Sequence, residues 1–529
     1  MRRPAPPAPT IQQVLASEKR LRAPSVPLRR DARSALLASP SPYAVAMGGL
    51  SLQSVWESLR DTGLADCDRA FCQAPDGPAI VPERSVVSYD LVGFSLPYEL
   101  DWVNVPSMLV AGGVPVWAED RGEDDPLILA GGASVTMNPE PLADIVDAFV
   151  IGEVEPVAEP LARVLWGHLT VRRRDRSGCL DALAALPGVY VPSRRQRQPV
   201  GRLVWDGIKT NPRRSLVISP HSTFADRFLV ETGRGCPWGC RFCLARRVYE
   251  PVRYARPDAV LAAATDALRV TPKIGLIGAA LSRYPHLEDV VEDLVAAGAD
   301  VSLSSLRADQ ITRRLVGALK RGGQRTVTIA PEAGTERLRH AIGKAITDDQ
   351  LLEALSAADA EGLREVKLYF MTGLPSEANE DALAIAELVA SWVRAFPRLR
   401  FEVAISPFVP KPWTPFEGAV FPGVSETRDR LEAAGNGLRR RAKITARLGS
   451  PRWAAVQAAL ARGDRSVGRA LVLAAEQGGG YAALKKALKA EGVDLRAPLT
   501  CPPDPPWRRA LNVDEVHCRV EASGRGHRP

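Results

Sequence analysis

The sequence predicts an α/β protein: a partial (β/α)6 TIM-type barrel, preceded by a small doubly wound (flavodoxin-like) α/β domain and followed by a helical C-terminal region. Three observations carry this expectation. Short apolar runs alternate with helical patterns six times between about residues 226 and 410. The same alternation fills the first third on a smaller scale. After Pro422 the pattern becomes helical.

In chain order, residues 1–41 begin Met-Arg-Arg-Pro-Ala-Pro-Pro, basic and without an apolar core behind them, and read as a flexible arm rather than a secretory signal. Residues 42–175 carry candidate strands at Arg69–Gln73, Asp90–Ser95, Leu127–Ala130 and Ala148–Ile151. Helical patterns lie between them at Leu52–Asp61, Leu100–Ala111 and Val157–Trp166. Ligands of doubly wound domains bind at strand ends, where Gly131-Gly132-Ala133-Ser134 falls. Residues 176–222 are rich in Arg, Pro and Ser and read as a linker.

In 223–423 the candidate strands are Phe228–Glu231, Lys273–Gly278, Asp300–Ser304, Thr326–Ala330, Val366–Met371 and Phe401–Ile405. The helices between them are Asp258–Val270, Leu287–Ala297, Gln310–Lys320, Asp348–Ala360 and Glu380–Ala395. Repeated β-α units imply a parallel sheet with right-handed crossovers, whose strand ends converge on one rim. Residues 424–529 read as a helical extension, clearest at Glu426–Leu448, Arg452–Ala461 and Tyr481–Ala490, with a disordered tail from Pro502.

The chain's 529 residues suffice for about three domains. A hydrophobic content of 46% and a mean hydropathy of −0.09 describe a globular protein, and no apolar run reaches the length of a membrane span. Eight cysteines are too sparse for a disulfide scaffold. Cys67, Cys72, Cys179, Cys501 and Cys518 are scattered and read as idle thiols. The net charge of +8 permits nucleic-acid binding without demanding it. The basic runs Arg172–Arg174, Arg194–Arg197 and Arg439–Arg441 lack interleaved aromatics and read as solvated surface.

Chemistry concentrates in Gly-Arg-Gly-Cys236-Pro-Trp-Gly-Cys240-Arg-Phe-Cys243, on the loop after the first barrel strand. Three thiolates at C-x-x-x-C-x-x-C spacing can hold three irons of a four-iron four-sulfur cluster and leave the fourth iron open, whereas such clusters normally take four cysteines. Gly233, Gly235 and Gly239 give the loop backbone freedom. A structural zinc would want a fourth ligand. The nearest downstream histidine is His286, and no second C-x-x-C follows.

This triplet, with the aromatic Phe242 before its third cysteine, resembles the signature of the radical S-adenosylmethionine superfamily. The resemblance implies that Cys236, Cys240 and Cys243 hold the cluster. It also implies that the cofactor's methionyl group chelates the open iron and that reductive cleavage releases a 5′-deoxyadenosyl radical. Further segments match in strand order over about residues 224–420. Gly278 stands where a glycine-rich stretch receives the methionyl amino group. Ser304, Ser305 and Arg307 resemble carboxylate and ribose contacts, and Glu332 stands where a fourth-strand polar residue meets the cofactor. Gly373-Leu-Pro-Ser-Glu377 with Asp381, and Ser406-Pro-Phe-Val-Pro-Lys-Pro-Trp-Thr-Pro415, are similar to methylthiotransferase-like members.

The first domain resembles the cobalamin-binding-like domain fused to many members, in Phe94–Leu100, Ala130–Gly132, Asn138–Asp144 and Phe149–Glu153. The D-x-H-x-x-G cobalt-ligand motif is absent and residues 1–167 hold no histidine, although some members bind cobalamin without a protein ligand. Three functions stay open. One is a cobalamin-dependent methyltransferase. The second is a cobalamin-independent RNA- or protein-modifying enzyme, and the third a non-catalytic iron-sulfur protein. The resemblance further implies an electron donor such as flavodoxin or ferredoxin, and an oxygen-sensitive cluster fits a reducing cytoplasm.

Overall fold

Alternation on the first sheet sets its two faces. In β1 (Arg33–Pro42) Leu36 and Ala38 belong to one buried cluster, and Ala35 and Leu37 to another. With β2 (Ala65–Cys72), β3 (Leu91–Ser95), β4 (Leu127–Gly131) and β5 (Ala148–Val150) it forms a parallel sheet in the order 2-1-3-4-5. That is the doubly wound flavodoxin-like order, with its topological switch between β1 and β3. Helices α1 (Ser51–Arg60) and α2 (Ala158–His168) cover one face.

The computed structural model describes residues 11–22, 25–72, 79–80, 85–170, 173–196, 198–439 and 442–518. Residues 1–10 of the expected arm and 519–529 of the expected tail lie outside these, as do Arg172, Arg197, Arg440 and Arg441.

The second sheet begins with β6 (Phe228–Arg234), β7 (Lys273–Gly278) and β8 (Asp300–Leu303), parallel and in that order. A backbone bridge from Leu306 to Ile329 continues it into β9 (Thr326–Glu332), β10 (Glu365–Thr372) and β11 (Arg400–Pro407). These six strands are the partial barrel. Crossover helices α3 (Pro257–Ala267), α4 (Leu287–Ala296), α5 (Arg313–Arg321), α6 (Asp348–Ala360) and α7 (Asn379–Ala395) bury their apolar faces against it in one continuous core.

Four expectations are corrected. The arm 1–41 contains β1, a central strand, because its apolar run Ala-Leu-Leu-Ala is short and hidden between Arg- and Pro-rich flanks. Residues 176–222 are folded: they carry a helix at Arg176–Ala184, an edge strand at Val189–Tyr190 on β5 and a strand at Val200–Val204. The pattern Glu426–Leu448 splits into α8 (Val424–Arg439) and β12 (Ile444–Leu448), which extends the barrel sheet beside β11. Finally, the chain beyond Pro502 re-enters the core: Trp507 is fully buried and Leu511–Cys518 pairs in parallel with Val200–Val204.

The C-terminal helices α9 (Pro451–Ala461), α10 (Arg465–Glu476) and α11 (Gly480–Ala490) supply the second helical layer of the first domain. Gly468 approaches so closely that a Cβ would meet the Pro141 carbonyl at 1.9 Å. The first sheet is thus sandwiched between helices from opposite ends of the sequence.

Candidate active site at the mouth of the barrel

The loop after β6 turns away from the sheet at Gly235, whose φ of +82° and neighbours leave no room for a side chain: a Cβ would meet the Tyr249 carbonyl at 2.7 Å. Cys236, Cys240 and Cys243 follow, each half-buried and unpaired as a disulfide. The loop is pinned from the far side of the barrel. The Arg241 N–H donates to the Ile342 carbonyl at 2.9 Å. Gly343, at φ +75°, approaches Gly239 so that a Cβ would stand 2.4 Å from its carbonyl. Phe242 packs on Ala333, Leu338, Ile342, Leu374, Phe408 and Phe416, which follow the ends of β9, β10 and β11. The loop therefore lies across the barrel mouth.

Around the thiols stand the strand-end polar groups. Glu332 ends β9 with φ +72°, rare for a residue with a side chain, and its carboxylate accepts from Lys344 Nζ at 2.7 Å. Arg307 pairs with Asp309 at 2.9 Å, donates to the Lys344 carbonyl at 2.8 Å and stacks on Trp238, 3.9 Å from the ring centre. Its guanidinium is thus held by the protein's own groups. Ser304 and Ser305 are exposed just beyond β8. Gly278 ends β7 against Thr232, whose hydroxyl a Cβ would meet at 2.8 Å. Trp238 and Lys344 escaped the sequence reading; Trp238 lies inside the cysteine motif itself, while Lys344 gives no local signal.

Burial pushes the Cys240 thiol up to about 11, although Lys344 and Arg307 pull the other way, and burial also raises Cys243. Thiols so placed bind metal by releasing protons. Among the described residues no three His, Cys, Asp or Glu side chains converge to hold a single metal ion. A cluster spreads its thiolates over separate irons, and the three free sulfur donors on one pinned loop fit that demand.

Beside this mouth lies a cavity of about 370 Å3, within the size range of small-molecule sites. Ser95, Gly131 and Gly132 at the ends of β3 and β4, with Gly93 inside β3, line one side, and Gly233, Arg234 and Gly278 at the ends of β6 and β7 the other. Leu37, Leu91 and Leu129 give it an apolar lining as well. A buried ion network closes the floor. Arg234 meets Glu153 at 3.0 Å, Glu155 at 2.7 Å and Glu231 at 3.0 Å. Arg253 meets Glu153 at 2.7 Å, and Arg213 meets Glu57 at 2.8 Å and Glu155 at 3.1 Å. Trp205 lies under Arg213 and Arg234. Burial alone would raise Glu155, but Arg234 and Arg213 together pull it down to about 2; at Glu231 burial wins and the carboxyl is raised.

Comparison with known proteins fits this geometry. A model of the radical SAM superfamily matches residues 230–389, across the cysteine loop, and a model of the N-terminal region of radical SAM proteins matches 51–192. An uncharacterized protein of Methanocaldococcus jannaschii, MJ0966, is 32% identical over 63% of this chain and 69% of its own length. The chain belongs to the radical S-adenosylmethionine superfamily of enzymes. The uncharacterized methyltransferase PH0819 of Pyrococcus horikoshii is 25% identical over 49% of this radical SAM chain and 56% of its own. Among solved structures, the cobalamin-dependent S-adenosylmethionine radical enzyme OxsB, with aqua-cobalamin and S-adenosylmethionine bound, matches at 15% identity and a TM-score of 0.46, over 68% of this chain. The chain spans about half (52%) of OxsB's length. Streptococcus suis SuiB matches 42% of the chain and 49% of its own, at 14% identity and a TM-score of 0.31.

Proposed function

We propose that the protein holds a four-iron four-sulfur cluster on Cys236, Cys240 and Cys243, cleaves S-adenosylmethionine reductively, and transfers a methyl group with a corrinoid held at the cavity between its two sheets. When bound, the cluster supplies the electron that splits the sulfonium into methionine and a 5′-deoxyadenosyl radical. The corrinoid would carry the methyl group. The chain's own residues place and shield these groups. Phe242 and the Arg241–Ile342 hydrogen bond fix the cysteine loop over the barrel mouth. Glu332 offers a carboxylate to the cationic or hydroxyl groups of the nucleotide, and its hydrogen bond from Lys344 holds it in place. Gly278 leaves backbone open to the methionyl amino group, and Ser304 and Ser305 offer hydroxyls. Arg307, tied to Asp309, stiffens Trp238 beside the cysteines and would supply a held cation for the methionyl carboxylate.

The observation that carries the reading is one shared wall: Arg234 borders the cavity and stands two residues before Cys236. The cavity opens at the carboxyl ends of both sheets, where doubly wound folds and barrels both take ligands. The name of PH0819 supports methyl transfer. Exposed Arg241 and Arg246 near the loop suit an acidic electron donor such as flavodoxin or ferredoxin. Among the described residues, no helix is long and apolar enough to cross a membrane, and we place the protein in the cytoplasm, where the cluster stays reduced. A second reading keeps the cleavage and drops the corrinoid, since no described histidine lines the cavity. Anaerobic purification with iron, sulfide and corrinoid analysis tests the proposal. Bound corrinoid with methyl transfer supports it; cleavage without any corrinoid leaves only the second reading.

A further inference from the structure

A groove of about 760 Å3 on the C-terminal region concentrates positive charge. It is walled by Arg428 of α8, Arg452 of α9, and Tyr481, Lys485, Lys486 and Lys489 of α11. Among the described residues Arg428, Arg452, Lys485 and Lys486 form no ion pair. Arg496 also lines it and is held by Asp494 at 2.8 Å, a carboxylate whose charge also reaches Lys489. Lys485 and Lys489 stand one helical turn apart, so their charges repel unless an anion lies between them. The wall also carries a ring. Tyr481 packs edge-on against Trp453, with ring centres 5.8 Å apart, and the Arg452 guanidinium lies over it at 5.6 Å.

The groove shares the barrel's active rim. The start of α8 follows β11, Arg452 follows β12, and Arg430 of α8 meets Glu377 in the turn after β10 at 3.3 Å. All three are carboxyl ends of parallel strands, as is the cysteine loop.

We propose that this groove binds single-stranded RNA, with the lysines and arginines on the phosphates and Tyr481 and Arg452 as a stacking platform for a base. Cations interleaved with an aromatic are the recognition chemistry of single strands. RNA offers unpaired loops without the unpairing that duplex DNA would require. An acidic peptide would gain nothing from the ring, and a flat membrane surface would not enter a concave groove. An RNA nucleotide is then the substrate class of the radical reaction; that assignment rests on the proposed cleavage, whereas the binding site does not.

The test is fluorescence anisotropy of a labelled oligouridylate of about 20 nucleotides with the full chain, between about 50 and 200 mM KCl, where single-strand contacts each add about 0.7 to the log–log salt slope. A slope near 3 is expected. Lys485→Ala/Lys486→Ala/Lys489→Ala should lower it by about 2 and weaken binding at least tenfold at about 100 mM. Tyr481→Ala should weaken binding about fivefold or more. A control removing three charges from α5, Arg313→Ala/Arg314→Ala/Arg321→Ala, should bind like the parent. The proposal is overturned if the control weakens binding as much as the lysine triple, or if polyglutamate or phosphatidylglycerol vesicles displace the oligonucleotide as well as unlabelled RNA does. Binding by the Cys240→Ala chain should match the parent, so failure of the cluster and failure of the groove read out separately.

Discussion

Glu332 sits in the left-handed region with a side chain to place, a conformation that costs roughly 1–3 kcal/mol and persists where surrounding structure enforces it. Glu332→Gln keeps the shape and removes the charge. S-adenosylmethionine binding, followed by equilibrium dialysis, should weaken about tenfold, the worth of one charge-assisted hydrogen bond, with the Tm little changed. Cys236, Cys240 and Cys243 are half-buried and outside the core clusters. Each Cys→Ala chain should therefore keep its Tm within a few degrees and lose all detectable 5′-deoxyadenosine formation. The cysteines and Phe242 were legible because their spacing is local. Lys344 was not, because its role comes from a turn that only the fold brings to Glu332. Away from the site, burial lifts the Asp101 carboxyl to about 6, against a hydrogen bond from Ser41 and with help from Glu99. The folded chain thus holds a proton that the unfolded chain, titrating at about 4, gives up earlier. Stability falls as pH climbs from about 4 through about 6, and Asp101→Asn should raise the Tm at about pH 8 and leave it unchanged near pH 4.

Strands of the barrel announced themselves by apolar runs separated by amphipathic helices, and Lys273–Gly278 and Asp348–Ala360 fall where periodicity puts them. Elements whose partners lie far away in sequence were hidden. β1 is flanked by Arg and Pro, β12 continues a helical pattern without a turn signal, and Leu511–Cys518 gains its partner about 310 residues upstream. Trp507 shows how firmly that last segment is held. It is fully buried in the layer that α9, α10 and α11 share with the first sheet. Trp507→Ala should cost about 3–5 kcal/mol in denaturant unfolding; a change under about 1 kcal/mol would mean that the segment is detached.

The two domains are joined as one body by charge as well as by packing. Glu153 and Glu155 of the first domain meet Arg234 and Arg253 of the barrel in a buried network, and Lys411 meets Glu99 at 2.7 Å on the other side. Removing one partner strands a buried charge. Arg253→Ala should destabilise the protein by about 3–5 kcal/mol and loosen the cavity floor, seen as faster hydrogen exchange at Gly233 and Gly278. This joint was illegible beforehand because the paired residues are between 79 and 312 positions apart and each reads singly as surface charge.

The central claim is a trio of thiolates that leaves one iron open to S-adenosylmethionine. Electron paramagnetic resonance of the anaerobically reduced chain tests it most directly. The signal of a reduced four-iron cluster should change shape when S-adenosylmethionine is added, and disappear in the Cys240→Ala chain. A spectrum indifferent to S-adenosylmethionine, or a metal analysis showing zinc instead of iron, would contradict it.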